Sequence, residues 1–291
     1  HVTDAHIELE RAYAQVGGNG QINMALCCDF LSWRLSLHTD VERRYTFSER
    51  YAALLRYHDA SWINIWSATS AYYHVLRGET DKIPEIFSQH RLSDIHLLAP
   101  GKPMMEMIEN QVYLAQGAYA KVVGRSAELL AACEAMHYAL VALHIRVQTA
   151  AAYARLGKHE TAHTWLQKAL SDAEPDGLVM PFAENYSLLK PLLARETRSA
   201  FAARITALGE AAQARGAERL RPAAFRALTE REFEIVELMV QRLSNREIAQ
   251  KCYLSEGSVK QYVNQIYSKL HIEGDTRTKR AQLAALLHEK T

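Results

Sequence analysis

Glycine and proline are scarce in this chain of 291 residues, at 13 and 7. Neither occurs between Gly20 and Gly78. Both residues punctuate helices, so their absence excludes a turn-rich architecture in that stretch. Alternating apolar and polar runs are lacking too, which argues against half-buried strands. The four cysteines, Cys27, Cys28, Cys133 and Cys252, form no CxxC pair. That excludes a disulfide framework and fits reduced thiols. No apolar run approaches roughly 18 residues and no basic-then-greasy leader stands at the start, so neither a membrane span nor a secretion address is expected. An excess of one charge sign is also missing: 34 Lys and Arg face 33 Asp and Glu, for a net +1. A nucleic-acid binder is usually basic, so the balance argues against one until it is resolved by region. With 48% apolar and 23% charged residues the composition is globular, and a cytoplasmic protein is expected.

What is present is helical periodicity through the first two thirds of the chain. Four segments stack when aligned: Ser36-Leu37-His38-Thr39, Leu76-Arg77-Gly78-Glu79, Ala115-Gln116-Gly117-Ala118 and Arg155-Leu156-Gly157-Lys158. Their third positions fall at 38, 78, 117 and 157. A period of about forty residues with two helices per unit is the mark of an α-solenoid. In the last unit Gly157-Lys158-His159-Glu160-Thr161-Ala162 opens a second helix, with Leu166 and Ala169 on the same face. This resembles the tetratricopeptide pattern, in which Gly makes the turn and small Ala residues let helices approach. The other units depart from it: His38 replaces Gly, and Val122 and Ile83 stand where Ala162 does. The fold expected is all-α, with tetratricopeptide-like repeats over 1–196, a basic helix and linker over 197–227, and a small helical domain over 228–291.

Resolved by region, the charge is uneven. Residues 195–226 hold seven Arg against three Glu, a local +4, while 1–194 carry −4 and 228–291 carry +1. Arg198, Arg204, Arg215 and Arg219 read as a solvated helix face, with contact to DNA phosphates as the alternative.

The densest pattern lies in 228–291. Thr229 and Glu232 are spaced as a capping box, and so are Ser244 and Glu247. Phe233, Val236, Val240 and Leu243 mark an apolar face on the first helix, and Ile248, Ala249 and Cys252 belong to a short second one. Ser255 caps a third helix reaching Leu270. Two helices joined by a tight turn, the second longer, make a helix-turn-helix layout. The third helix buries Val259, Val263, Ile266, Tyr267 and Leu270 and presents Gly257, Lys260, Gln261, Asn264, Ser268 and Lys269. That second set carries no acid, which suits a groove walled by phosphates. Lys can donate to guanine, and Gln or Asn can pair with adenine edges.

These residues, through Leu228-Thr229-Glu230-Arg231-Glu232, Leu243-Ser244-Asn245-Arg246-Glu247-Ile248-Ala249, Ser255-Glu256-Gly257-Ser258-Val259-Lys260 and Ile266-Tyr267-Ser268-Lys269-Leu270, resemble the LuxR-type DNA-binding domain over about sixty residues. The resemblance implies a four-helix domain, with the third helix in the major groove and a fourth, near Thr278–Leu287, supporting dimer contacts. It implies base contacts from Lys260, Gln261 and Asn264, and backbone contacts from Asn245, Ser255, Ser258 and Lys269. Tyr262 stands where many relatives have His, and Gly257 where a larger polar residue is common. A helix-interior Gly costs roughly 1 kcal/mol relative to Ala, so this helix is expected to be softened before DNA binds.

Helical repeats ahead of such a domain resemble the MalT-like regulators, as does the run Ala169-Leu170-Ser171-Asp172-Ala173-Glu174-Pro175-Asp176-Gly177 with Pro181-Phe182 and Leu188-Leu189-Lys190-Pro191-Leu192-Leu193. The resemblance implies an inducible activator whose repeats receive a small molecule or a regulatory protein, with RNA polymerase as partner and a homo-oligomer on DNA. It also implies an upstream ATP-binding module. The chain holds no GxxxxGK[ST] loop and begins at His1, so a C-terminal fragment with no cofactor of its own is expected, with a relative that has shed the ATPase as the alternative. Trp62, Trp66 and Tyr73, with Trp33, Tyr57 and Tyr72 near in sequence, could line an inducer pocket, although aromatic residues in repeat helices more often pack the core. His159-Glu160-Thr161-Ala162-His163 spells the HExxH of zinc hydrolases, but it sits in a repeat helix with no third ligand at a familiar spacing. The competing readings are therefore a zinc hydrolase and a protein-interaction scaffold that does not bind DNA; the expectation is a regulator and no enzyme. Cys27-Cys28 reads as packing rather than a redox pair.

Overall fold

The computed structural model describes residues 2–16, 22–38, 60–95, 99–196, 199–220, 223–225 and 227–288. Among them every regular element is helical. In chain order these are α1 (Val2–Val16), α2 (Ile22–Ser36), α3 (Ala60–Leu76), α4 (Glu85–Ser88), α5 (Lys102–Ala115), α6 (Tyr119–Ala135), α7 (Ala139–Arg155), α8 (His159–Ala173), α9 (Met180–Glu184), α10 (Tyr186–Leu193), α11 (Ala200–Leu220), α12 (Glu230–Val240), α13 (Asn245–Cys252), α14 (Glu256–Lys269) and α15 (Thr276–His288). The chain divides into two compact units, His1–Gln213 and Ala214–Thr291.

The first unit is organised around α7, which packs against α5, α6, α8, α9 and α10. A helix apolar on all sides is stable only when surrounded. Accordingly, α7 buries Leu143, Ile145, Val147 and the run Ala150-Ala151-Ala152. The three alanines let neighbouring backbones come close. Ala142 and Ile145 join a core with Ala71, Phe87, Ile108 and Val112. Leu143 and Val147 join a second core with Leu166, Phe182, Leu189 and Ile205. One helix thus belongs to two layers. Ala162, Leu166 and Ala169 of α8 are buried in the second layer, as are Val122 there and Ile83 in the first.

Why the glycines recur becomes clear at the helix ends. Gly78, Gly117 and Gly157 all have φ near +75°. At each, the following amide donates back across the turn: Glu79 to His74, Ala118 to Tyr113 and Lys158 to Tyr153, at 2.9–3.0 Å. This is the Schellman closure, and glycine adopts its left-handed residue without a Cβ penalty. The intervening helices end the same way at His137 (φ 56°) and Gly177 (φ 65°). Positions 117, 137, 157 and 177 are twenty apart, so the forty-residue spacing marks every second turn.

Several hydrogen bonds unite helices distant in sequence. Gln148 donates to Gln111 and to the Met107 carbonyl, and Gln111 donates to Asn185, at 2.9–3.0 Å. All three side chains are buried, so each bond satisfies groups that would otherwise be costly. Gly209 of α11 lies against Tyr186 of α10 so closely that a Cβ would overlap the ring. Glycine is required there by packing.

Candidate nucleic-acid interface

The second unit starts from local chemistry. Thr229 caps α12: its backbone amide donates to Glu232 at 2.7 Å and its hydroxyl accepts from the Glu232 amide at 3.3 Å. Ser244 and Glu247 repeat the arrangement on α13, at 2.8 and 3.3 Å. Ser255 accepts from the Ser258 amide at 3.0 Å and opens α14. Each cap satisfies amides that a helix start leaves unpaired. Asp275 does the same for α15, accepting from the Thr278 amide at 2.7 Å.

These helices close around Phe225, Ile235, Val236, Met239, Ile248, Val259, Ile266 and Leu283. The apolar face read from the sequence of α12 included Val236, but Ile235 and Met239 are buried beside it. On α14, Val259, Ile266 and Tyr267 are buried, while Val263, Leu270 and Tyr262 pack partly against the core. Between α13 and α14 the chain turns through Tyr253, a left-handed residue (φ 54°, ψ 44°), and the Leu254 amide donates to Ala249 at 2.9 Å. The cap at Ser255 marks the turn in the sequence, but its left-handed residue carries no mark, since Tyr occupies the slot that glycine fills elsewhere. A non-glycine side chain there costs roughly 1 kcal/mol. Its ring is 95% exposed, so no packing explains it.

The turn sets the outward face of α14. Gly257, Lys260, Gln261, Asn264, Ser268 and Lys269 are all exposed. Glu256 is the acid in the first turn, where the helix dipole favours it; its carboxylate lies 4.0 Å from Arg246. Asn245 and Ser258 are half-buried, and Ser255 is exposed at the cap. A cationic, amide-bearing helix face standing clear of the domain can enter a groove lined by phosphates.

Lys269 is placed differently from the other outward residues. Its ammonium donates to Glu232 Oε2 at 2.8 Å. The same oxygen accepts from the Thr229 amide and hydroxyl. Burial works to raise the Glu232 pKa, but the hydrogen bonds from Lys269 and Thr229, with the lysine charge, outweigh it and hold it below the usual carboxylate value. One carboxylate therefore caps α12 and ties it to the end of α14. The partners are 37 residues apart, so no local pattern reveals the pair.

The segment of residues 226–281 matches the family model described as bacterial regulatory proteins, luxR family. The second unit contains a LuxR-family helix-turn-helix domain. A relative, "Transcriptional regulatory protein LnrK" of Bacillus subtilis (strain 168), is 46% identical over 50 residues, taking in 17% of this chain and 23% of that protein. The match thus spans about a quarter of that regulator's length. No solved structure matches. The family match lies wholly within the second unit.

Other residues singled out from the sequence lie in the first unit. Trp66 and Tyr73 belong to α3 and are half-buried; the side chain of Trp62 and all of Tyr57 lie outside the described residues. Tyr73 packs on Trp33 with ring centroids 4.8 Å apart, and its hydroxyl accepts from Arg77 at 2.8 Å. His163 pairs with Glu196 at 2.8 Å and Glu160 with Arg195 at 3.2 Å. Among the described residues no three His, Cys, Asp or Glu side chains are grouped to hold a metal. Cys27 is exposed, while Cys28, Cys133 and Cys252 are buried. Arg198 and the side chain of Arg219 lie outside the described residues; Arg204 is exposed and Arg215 half-buried. No helix among the described residues is long and apolar enough to cross a membrane.

Proposed function

We propose that this protein is a sequence-specific, inducible transcriptional regulator, acting as an activator of the MalT-like type. Lys260, Gln261 and Asn264 read base edges in the major groove, while Asn245, Ser255, Ser258 and Lys269 hold the phosphate backbone. The observation that carries the reading is the exposed face of α14, which concentrates hydrogen-bonding side chains and, beyond its first turn, contains no acid. α15 supports dimer contacts, and RNA polymerase is a partner on the promoter. The first unit, a solenoid of tetratricopeptide-like repeats, receives a small-molecule inducer or a regulatory protein. The Schellman turns twenty residues apart and the two-layered burial of α7 support that reading. In the cell the protein works in the cytoplasm.

The test is selection of bound duplexes from a random pool by the purified chain. A discrete enriched sequence, often with two-fold symmetry, is expected. Absence of enrichment would sink base readout and favour an interaction scaffold.

A further inference from the structure

Within the first unit, α1, α2, α7, α11 and the segment from Gly177 into α9 line a half-open cavity of about 900 Å³. That lies toward the upper end of the roughly 300–1,000 Å³ of small-molecule sites. Its wall is mostly apolar, with Leu9, Leu31, Leu35, Leu140, Met180 and Leu208 among the lining residues. Leu31 and Leu140 are 62% and 49% exposed, so the apolar surface reaches solvent.

Four ionisable side chains also line it: Glu8, Arg34, His38 and Arg204. The Glu8 carboxylate is taken by Arg11 at 2.7 Å. Arg34 is held from behind. Its Nε and Nη2 donate to the two oxygens of the buried Glu184 at 3.1 and 3.2 Å, and Nη2 also reaches His144 Nε2 at 3.1 Å. Tyr72 donates to Glu184 at 2.6 Å, and His38 Nε2 stands 3.6 Å from it. Nη1 of Arg34 has no partner among the described residues, although the guanidinium is clamped and its side chain is 37% exposed. Arg204 pairs with no group among the described residues. The ion pair itself contributes little net stability for the desolvation it demands, so a clamped guanidinium edge on an apolar wall is better explained as a preorganised anchor.

The structure assigns this cavity to an amphipathic monocarboxylic acid, with the carboxylate at Arg34 and Arg204 and a chain or ring system along the leucines. Arg204 has its planar guanidinium fork free for a carboxylate, and Arg34, whose Nε and Nη2 are taken by Glu184, adds a single donor from Nη1. A dianionic phosphate would meet both Glu184 behind Arg34 and Glu8 on the wall. The consequence for DNA rests on the sensing role proposed above; the binding site itself does not.

The experiment is calorimetric titration of the full chain with dodecanoate, dodecanol and dodecylammonium below their aggregation concentrations. Dodecanoate is expected to bind saturably at one site, dodecanol at least about tenfold more weakly, and dodecylammonium more weakly still, since a charged hydrogen bond is worth about that factor. Arg204→Ala, at an exposed position, should weaken dodecanoate by about tenfold and leave dodecanol unchanged. Ala207→Trp, also exposed on α11 and lining the cavity, should abolish both while the far-ultraviolet circular dichroism is kept. Absence of saturable dodecanoate binding, equal affinity for the three probes, or indifference to Arg204→Ala overturns the proposal. Gel shifts with the selected duplex separate the two readings. Dodecanoate that binds without changing DNA affinity leaves the site standing and removes the sensing role.

Discussion

Lys269→Met tests whether one lysine both braces the domain and touches DNA. The substitution keeps the stem and removes the ammonium, so the 2.8 Å bond to Glu232 is lost. A hydrogen bond to a charged group is worth about 1.5–3 kcal/mol. Glu232 is 3% exposed but Lys269 is 40% exposed, and solvent screening reduces the value to about 1–2 kcal/mol. The cap on α12 survives, because Glu232 still accepts from Thr229. Glu232→Ala removes cap and pair together and should cost about 2–4 kcal/mol. All four tryptophans, at 33, 62, 66 and 165, precede residue 214, so their fluorescence follows only the first unit. Amide hydrogen exchange in α12 and α14 follows the second. Faster exchange there, with unchanged tryptophan melting, is the expected result. An ammonium has three donors and Glu232 takes one, which leaves two for a phosphate. The slope of log affinity against log salt should therefore fall by about 0.9 in Lys269→Met. Unchanged exchange would refute the bracing role, and an unchanged slope would remove Lys269 from the DNA interface.

Lys260→Ala and Asn264→Ala should each relax sequence preference by about 1–3 kcal/mol, measured as the affinity ratio between the selected duplex and its single-base variants. Equal weakening on every sequence would contradict base readout. Gly257→Ala should stabilise α14 by only about a few tenths of a kcal/mol, because Gly257 is the second residue of the helix rather than an interior one and an added Cβ would lie in ordinary contact 3.7 Å from Ser255; hydrogen exchange in α14 reads it. Gly209→Ala should destabilise the first unit by about 1–3 kcal/mol through overlap with Tyr186, seen as a lower melting temperature by tryptophan fluorescence. The same unit should weaken in acid. Burial holds the His144 pKa down at about 4, with Arg34 reinforcing it against the opposing pull of Glu184. The unfolded chain takes that proton near 6.5, so stability is complete above this value and falls by about 3 kcal/mol as pH drops toward 4. Denaturant midpoints that stay flat across this window would contradict a buried neutral His144.

The helix-turn-helix was legible because its signals are local. A capping box needs residues three apart, and a split-face helix needs apolar residues at i, i+4 and i+7, so the sequence spells both out. The turn before Ser255 was legible too, but the left-handed backbone at Tyr253 was not, because the helices on either side impose it. In the first unit, the glycines at 78, 117 and 157 announced helix ends, whereas the turn at His137 had no such marker. The aromatic residues of α3 suggested a ligand pocket, yet Trp66 and Tyr73 are not among the residues that line the half-open cavity beside α1, α2, α7 and α11.

The amino-acid sequence by itself determined the helical character, the caps, the helix ends that glycine makes, and the outward chemistry of α14. Tertiary structure alone decided that Arg34 would be clamped by a carboxylate 150 residues away, that Lys269 would brace α12, and that Arg204 would face an apolar cavity. The physical reason is range. Backbone propensity and capping act within one or two helical turns, whereas an ion pair or a cavity exists only once separate helices have packed, and no spacing along the chain encodes that distance.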